Sequence, residues 1–361
     1  MSGMNPIILM QLLNQYHNYK PEGSLRTFKF TKNNRLRVHK ESPEEGKRRK
    51  SYLSENTRTI VEATLRAKLK DSLRGRLNTV WMENPEKLKK LAVPLQMSTG
   101  QSGFGVLPTG SRVPIPEGKI VRAFTYWEKV NDIDLSCFAI DDDGNKREEF
   151  SWRTFWREDS KDVAFSGDET YGYNGGSEYI DFYLRRFTAH HPDFHYLIFC
   201  DNIFSSSTFA NCEAKGGFML RDELSSGEIY EPKTVQTSYR LTADSTFCYM
   251  FAIDLRRREM VWLNIAREGR YAVAGTTDFG FIRDYLESTD VFNAYDLFTA
   301  AAKEIVPSPT TTLKKADVLV TDDVFYDGLA SRDPNLTVIH SWDLEKMLAI
   351  IQPGVKEVKF K

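Results

Sequence analysis

The first hundred residues change between helical and strand-like spacing of apolar positions. Residues 6–17 place apolar side chains at helical spacing and predict a first helix. Residues 25–30 and 36–39 alternate apolar and basic side chains, which predicts a short hairpin. After Ser54, which can cap a helix, apolar residues recur every three or four positions as far as Leu77 on an otherwise basic surface. This part is therefore predicted to be a basic helical and hairpin region.

The pattern from about residue 119 onward is typical of β-strands. Gly, Asp, Asn and Ser clusters separate segments rich in β-branched and aromatic residues. The predicted strands are Lys119–Tyr126, Leu135–Ile140, Tyr179–Leu184, His195–Cys200, Gly217–Leu220, Val235–Arg240, Phe247–Asp254 and Met260–Asn264. Such a succession indicates a mainly antiparallel β-sandwich. Residues 278–285 and 294–305 are predicted to be helical.

The C-terminal segment predicts strands at 317–321 and 336–340, then a helix at 342–351 capped by Ser341. This segment is too short to form an independent domain. Pro and Gly residues break up the chain after Ala92, which places a boundary near residue 100. The fold class is therefore predicted to be α+β. Its predicted parts are a basic helical and hairpin region at 1–100, a β-sandwich domain at 101–305 and a strand-helix extension at 306–361.

Composition is that of a globular chain without a membrane span. The 361 residues are 41% hydrophobic and 27% charged, enough apolar material to bury a core. No apolar run approaches the length of a transmembrane helix, and the first residues lack the features of a signal peptide, so we expect a cytoplasmic protein. The spacing of the cysteines fits neither a zinc knuckle nor a redox pair and predicts free thiols at Cys137, Cys200, Cys212 and Cys248.

The charge is distributed unevenly along the chain. Residues 1–100 hold 20 Lys/Arg and 9 Asp/Glu, a net +11, and the remaining residues carry −12. Opposite charges predict either docking of the two parts, within one chain or between copies, or a separate partner for each part. Basic residues in 25–90, interleaved with aromatic ones, could bind nucleic acid or an anionic membrane surface. The candidate polyanion contacts, which also suit a solvated loop, are Lys47, Arg48, Arg49 and Lys50.

Acidic residues suggest a cation site early in the β-rich part. In an extended strand, Asp132 and Asp134 point the same way while Ile133 and Leu135 face the core. The glycine-rich stretch at 165–184 adds further oxygen ligands, which hard cations favour. The spacing is not that of an EF-hand. A separate acidic run, Asp141–Asp143 with Gly144, is more typical of a hairpin turn.

Five stretches of the chain together resemble one known family. They are DIDLSCFAIDDDG, SGDETYGYNGGSEYIDFYL, HYLIFCDNI, NIFSSSTFANCEAKGGFML and AIDLRRREMVWLNIA. The family that they resemble is the TerD domain of tellurium-resistance and chemical-stress proteins. The resemblance covers about residues 115–305. Relative to the family pattern, an Asn is replaced by Glu169, and the acidic pair before the glutamate by Gly176 and Ser177. Less specifically, Val80-Trp81 and the segment 107–116 resemble the upstream strand and bridge of larger bacterial TerD-domain proteins.

The TerD resemblance implies a calcium-binding β-sandwich. The implied ligands are Asp132, Asp134, Asp168 and Glu178. These are fewer carboxylates than the family provides, and the number of charged ligands affects both the affinity for Ca²⁺ and the number of ions bound. The implied function is a non-enzymatic scaffold or sensor module of a bacterial stress-response or defence system, with other proteins of that system as partners. The alternative is the polyanion-binding protein described above.

The sequence offers no recognisable catalytic constellation. Spacing suggests a zinc pair among His190, His191 and His195, but Pro192 interrupts the segment. Neither a phosphate loop nor a nucleophile elbow is present in the sequence. Asp322-Asp323 near a predicted strand end could serve a metal-dependent enzyme, although a polar strand end is the more ordinary interpretation. We therefore expect a binding module and not an enzyme.

Overall fold

The computed structural model describes residues 4–18, 25–30, 35–40, 42, 44–45, 53–94, 105–154, 161–204, 207–242, 244–266, 279–288, 292–309 and 316–352. For 25–30, 35–40 and 147, only the backbone is described. The helices described are α1 Pro6–His17, α2 Glu55–Leu73, α3 Pro85–Lys90, α4 Leu184–His190, α5 Phe279–Glu287, α6 Ala294–Ala301, α7 Phe325–Ala330 and α8 Leu344–Ile351.

Most of the described strands lie between α3 and α5 in the chain. Those described are β1 Leu25–Phe30, β2 Arg35–Lys40, β3 Leu77–Met82, β4 Arg112–Pro114, β5 Ile120–Glu128, β6 Ile133–Ile140, β7 Lys146–Phe150, β8 Val163–Phe165, β9 Gly176–Phe182, β10 Tyr196–Ile203, β11 Glu213–Arg221, β12 Val235–Arg240, β13 Phe247–Asp254, β14 Glu259–Ala266, β15 Ala302–Ile305, β16 Val318–Val320 and β17 Thr337–Ile339. The mixture of helices with antiparallel sheets confirms the α+β class.

The chain divides into two compact units. One, here called the parallel-sheet unit, consists of Met1–Thr27, Val38–Ser111 and Ser288–Lys361. The other, the two-sheet unit, consists of Phe28–Arg37 and Arg112–Glu287. The three-part division at residues 100 and 305 differs from this arrangement, because segments from both ends of the chain contribute to the parallel-sheet unit.

The two-sheet unit contains two sheets that pack on each other. The larger sheet has the order β1-β2-β14-β13-β10-β6-β7, with β4 also paired to β14, and the smaller has the order β12-β11-β5-β9-β8. Apart from one parallel contact between β2 and β14, the pairings described here are antiparallel. Phe182 of the smaller sheet meets Phe199 of the larger edge to face, with ring centroids 5.9 Å apart. The apolar core of this unit therefore includes the interface between the sheets.

The parallel-sheet unit is built around the strand order β15-β3-β16-β17, and the pairings are parallel. β3 contains Val80-Trp81, where a strand was expected from the family resemblance. It precedes the segment 112–287 of the two-sheet unit in sequence, whereas its neighbours β15 and β16 follow that segment. This pairing joins the predicted N-terminal region and the predicted extension in one sheet.

One predicted helix cap was wrong. The C-terminal helix α8 begins at Leu344 with Asp343 at its N-terminal capping position, and the hydroxyl of Ser341, the predicted cap, donates to Asp322 instead.

Several predicted element boundaries were also wrong. The basic helix ends at Leu73 and not near Leu77, because Gly75 adopts a φ of +75° and Leu77 begins β3. The predicted strand at 179–184 ends at Phe182, and Leu184 already begins α4. The predicted helix at 294–305 ends at Ala301, after which residues 302–305 form β15.

A buried ion pair lies within the smaller sheet. The guanidinium of Arg122 donates to both oxygens of Asp181, at 2.7 and 2.8 Å, and both side chains are fully buried. Arg122 also lies over the ring of Tyr179, 3.6 Å from its centroid. The backbone N–H of Ser225 donates to Asp181 at 2.8 Å. The pair therefore links β5 and β9 to the segment that follows β11.

Among the described helices, none combines the length and the apolar character that a membrane crossing requires.

Candidate metal centre

Three carboxylates converge at one end of the two-sheet unit. Asp132 immediately precedes β6, Asp134 is the second residue of that strand, and Asp168 lies in the loop between β8 and β9. One oxygen of each lies within 4.8 Å of the others. Asp134 is buried, Asp132 is partly buried and Asp168 is exposed. We call these three residues the acidic triad.

Backbone hydrogen bonds bring the two parts of the acidic triad together. The N–H of Gly172 donates to the carbonyl of Asn131 at 2.7 Å. The N–H of Lys129 donates to the carbonyl of Tyr173 at 2.8 Å. The β8–β9 loop is thereby fixed against the turn that leads into β6, and Asp168 comes to lie beside Asp132.

Glycine is needed where this loop passes the core tryptophan. A Cβ atom on Gly172 would lie 2.5 Å from Nε1 of Trp127, and one on Gly176 would lie 2.5 Å from its Cε2. Such distances are far below van der Waals contact, and Trp127 is fully buried and has no room to move. Gly172 and Gly176 therefore serve close packing of the loop on Trp127.

Glu178 lies beside the acidic triad and does not belong to it. Its Oε2 accepts the N–H of Leu135 at 2.8 Å, and its Oε1 accepts the N–H of Glu169 at 3.0 Å. The side chain is fully buried in β9. Glu178 therefore ties the start of β6 to the acidic loop, and its predicted role as a fourth calcium ligand stays a prediction.

The acidic triad is electrostatically strained in the absence of a cation. Burial, and then the charges of Asp134 and Asp168, raise the pKa of Asp132 from 3.8 to about 6. Burial also raises the pKa of Asp134, with a contribution from Asp168 and an opposing hydrogen bond from Asn202. Burial raises the pKa of Glu178 to about 9, although its two backbone hydrogen bonds act in the other direction. A bound cation would relieve this repulsion.

A buried oxygen of Asp132 that makes no hydrogen bond to any described residue supports a cation site at this position. Within the described part of the chain, Oδ1 of Asp132 is buried and makes no hydrogen bond. A buried acceptor without a partner is costly, so such an atom indicates an absent ion or water. Oxygens bound to one Ca²⁺ at 2.3–2.6 Å lie at most about 5 Å apart, and those of the acidic triad satisfy this limit. The residues present therefore fit a calcium-sized cation.

Asp201 is a further buried acid that the sequence prediction missed. Its Oδ2 accepts the hydroxyl of Thr125 at 2.8 Å, whereas Oδ1 makes no hydrogen bond among the described residues. Burial raises its pKa to about 7, with a contribution from the charge of Asp134. The sequence signal was a single Asp inside the apolar strand at 196–203, a residue type that is rarely buried alone.

The second acidic run forms the turn that its sequence predicts. Oδ1 of Asp141 accepts the N–H groups of Asp143 and Asn145 at 3.0 and 2.8 Å. Gly144 has a φ of +79°, which suits glycine at the tip of the β6–β7 hairpin. The hairpin-turn interpretation is confirmed.

The other candidate groups have local partners. His190 pairs with Asp162, and His195 contacts Asp142 at 2.7 Å. The cysteines are unbridged, as their spacing predicts. Asp322 accepts the N–H and hydroxyl of Ser341 at 2.7 and 2.8 Å. Asp322 also forms an ion pair with Lys87, and these partners support the interpretation of a polar strand end.

The predicted polyanion contacts Lys47, Arg48, Arg49 and Lys50 lie outside the described residues. Within the basic region, α2 begins after Ser54, whose hydroxyl accepts the N–H of Thr57 as predicted for a cap. Its buried face consists of Leu65, Leu69 and Leu73. The polyanion hypothesis stays a prediction.

Comparison of the chain with protein-family models, curated proteins and solved structures finds no match.

Proposed function

We propose that the two-sheet unit is a calcium-binding module and that the protein is a non-enzymatic scaffold or sensor. The observation that carries this proposal is the convergence of Asp132, Asp134 and Asp168 around a buried oxygen of Asp132 that lacks a hydrogen bond. The resemblance to TerD domains adds the context of a bacterial stress-response or defence system of the tellurium-resistance kind. Its partners would be other proteins of that system.

The proposed switch acts through the loops that carry the ligands. Asp132 and Asp134 are fixed to β6, whereas Asp168 reaches the site from the loop between β8 and β9. A cation shared by these groups would neutralise their repulsion and hold that loop against β6. The ion-loaded loops would present a surface that a partner recognises, and the ion-free loops would not.

Thermal unfolding in EDTA and across a calcium series tests the proposal. A cation that binds only the folded state stabilises it by about 2.7 kcal/mol at a hundredfold excess over its Kd. We expect this stabilisation in the natural protein and its loss in the double variant Asp132→Ala/Asp168→Ala. Isothermal titration with Ca²⁺ and Mg²⁺ would give the stoichiometry and the preference between the two ions.

A charge-matched control is available in the same unit. Asp143 and Asp222 are exposed acids, and neither belongs to the acidic triad. The double variant Asp143→Ala/Asp222→Ala removes the same charge and should keep the response to calcium. If calcium does not stabilise the natural protein, or stabilises both double variants equally, the proposed site is wrong.

A further inference from the structure

Three aromatic side chains are exposed around the acidic triad. Tyr171 is 89% exposed, Phe204 76% and Tyr173 55%. Within the described residues of the two-sheet unit, no other large apolar side chain is as exposed as these. Aromatic side chains normally contribute buried area, so a group of exposed ones next to a charged site indicates a contact surface. We call these three residues the aromatic rim.

Short backbone contacts tie the aromatic rim to the ligand-bearing loops. The N–H of Phe204 donates to the carbonyl of Asp132 at 3.2 Å. The carbonyl of Tyr173 accepts from Lys129 in the turn before β6, as described above. Tyr171 follows Asp168 by three positions in the same loop. The rim and the triad therefore share one end of the two-sheet unit and the same loops.

We propose that this end of the two-sheet unit binds the surface of an anionic phospholipid bilayer when calcium is present, an inference that rests on the calcium site proposed above. The lipid headgroups would supply oxygen ligands to the ion, and the aromatic rim would enter the interfacial layer of the bilayer.

The ligand count leaves room for lipid oxygens. Ca²⁺ takes six to eight oxygen ligands, and the acidic triad offers three carboxylates. Asp168 is exposed, so the site is accessible from solvent on that side. Phosphate and carboxylate groups of anionic lipids are oxygen donors of the kind that Ca²⁺ prefers. Without the ion, the carboxylates would repel the same lipids, which makes binding calcium-dependent.

The arrangement of the aromatic side chains suits a bilayer. They extend from two separate loops, β8–β9 and the segment after β10. Tyr and Phe side chains favour the boundary between headgroups and acyl chains, where the ring is buried and a hydroxyl stays hydrated. A fluid bilayer surface accepts such separate side chains without a matching shape.

Sedimentation of the full chain with vesicles tests the inference. The vesicles consist of equal parts of phosphatidylserine and phosphatidylcholine, or of phosphatidylcholine alone, and each is used with calcium and with EDTA. We expect sedimentation with the anionic vesicles in calcium only. The variant Tyr171→Ser/Phe204→Ser should bind them about tenfold more weakly or worse, because it loses most of the apolar contact. Its calcium titration without vesicles should match that of the natural protein.

Ile229→Ser is the matched control. Ile229 is 45% exposed, and the carbonyl of its neighbour Glu228 accepts from Arg221 at 2.9 Å. Arg221 pairs with Ile120, at the end of the β5–β11 pair farthest from the ligand-bearing turn. This variant removes an exposed apolar side chain from the same unit and should sediment like the natural protein.

The outcomes separate this inference from the calcium site. Calcium stabilisation without sedimentation, or undiminished sedimentation of the aromatic variant, would overturn the bilayer inference and leave the calcium site in place. Sedimentation that persists in EDTA and weakens with salt would overturn it too, and would assign lipid binding to the basic region. Absence of both calcium stabilisation and calcium-dependent sedimentation would remove the site and the inference together.

Discussion

Replacing Asp132 by Asn should stabilise the calcium-free protein and destabilise the calcium-loaded one. Asn keeps the size of the side chain and removes its charge. At pH 7 the carboxylate of Asp132 is ionised, although burial and then the charges of Asp134 and Asp168 raise its pKa from 3.8 to about 6. Its ionised form therefore opposes folding as long as no cation is bound.

The structure sets the size of this effect. One pKa unit corresponds to about 1.4 kcal/mol, so the raised pKa of Asp132 sets an upper limit of about 3 kcal/mol. The side chain is only partly buried, and screening by solvent reduces this to roughly 1 to 1.5 kcal/mol. We expect Asp132→Asn to raise the free energy of unfolding in EDTA by about this amount.

Calcium should reverse the order of the two proteins. At a hundredfold excess over its Kd, the ion stabilises the natural protein by about 2.7 kcal/mol. The variant lacks one charged ligand and should gain far less under the same conditions. The natural protein would then be the more stable of the two by roughly 1 kcal/mol or more.

Urea unfolding at pH 7, in EDTA and in calcium, measures the crossover. The control is Asp143→Asn, an exposed acid outside the triad, which should leave both free energies nearly unchanged. In EDTA near pH 4 the benefit of Asp132→Asn should vanish, because the folded protein then holds Asp132 protonated. A variant that is less stable than the natural protein in EDTA at pH 7, or that keeps the full calcium response, would contradict the assigned charge repulsion at Asp132.

Three further effects follow from buried groups. In EDTA, the free energy of unfolding should fall from about pH 5 to pH 9, because the folded state binds more protons at carboxyls with raised pKa values, including Glu178; a rise in urea midpoints over this range would contradict it. Arg122→Met should cost about 3–5 kcal/mol in urea unfolding, since Asp181 stays buried without its partner. Gly217→Ala should lower the free energy of unfolding by about 1–3 kcal/mol, because its Cβ would lie 1.9 Å from the carbonyl oxygen of Thr237 in β12. The control Gly280→Ala adds a Cβ in open space, so its melting temperature should not fall.

Local pattern determined the existence and type of most elements. The bounds of β12 and β13 match their predicted segments, and α1 begins and ends with the apolar run at 6–17. The period of two correctly indicated that Ile133 and Leu135 would be buried, and both are fully buried. Side-chain alternation and helical spacing depend on neighbouring residues, so a sequence expresses them directly.

The calcium-site hypothesis combined a local signal with a family resemblance. The sequence placed Asp132 and Asp134 close together by strand geometry alone. The glycine-rich stretch at 165–184 added Asp168, and the family resemblance implied the same residues as ligands. Backbone hydrogen bonds from Gly172 and Lys129 bring these three carboxylates together. The bridging role of Glu178 depends on two backbone N–H groups that sit far from it in sequence or across a loop, and no local pattern encodes that.

The sequence alone therefore determined most of the elements, the α+β class and the acidic positions, because each of these depends on short-range spacing. Only the tertiary structure decided which distant segments pair. β3 at 77–82 pairs with β15 and β16, more than two hundred residues away, in a parallel sheet that no local sequence pattern predicts. It also showed Asp201 to be buried beside the acidic site and the aromatic rim to be exposed. Burial and convergence are properties of the packed chain, since they depend on contacts between residues distant in sequence.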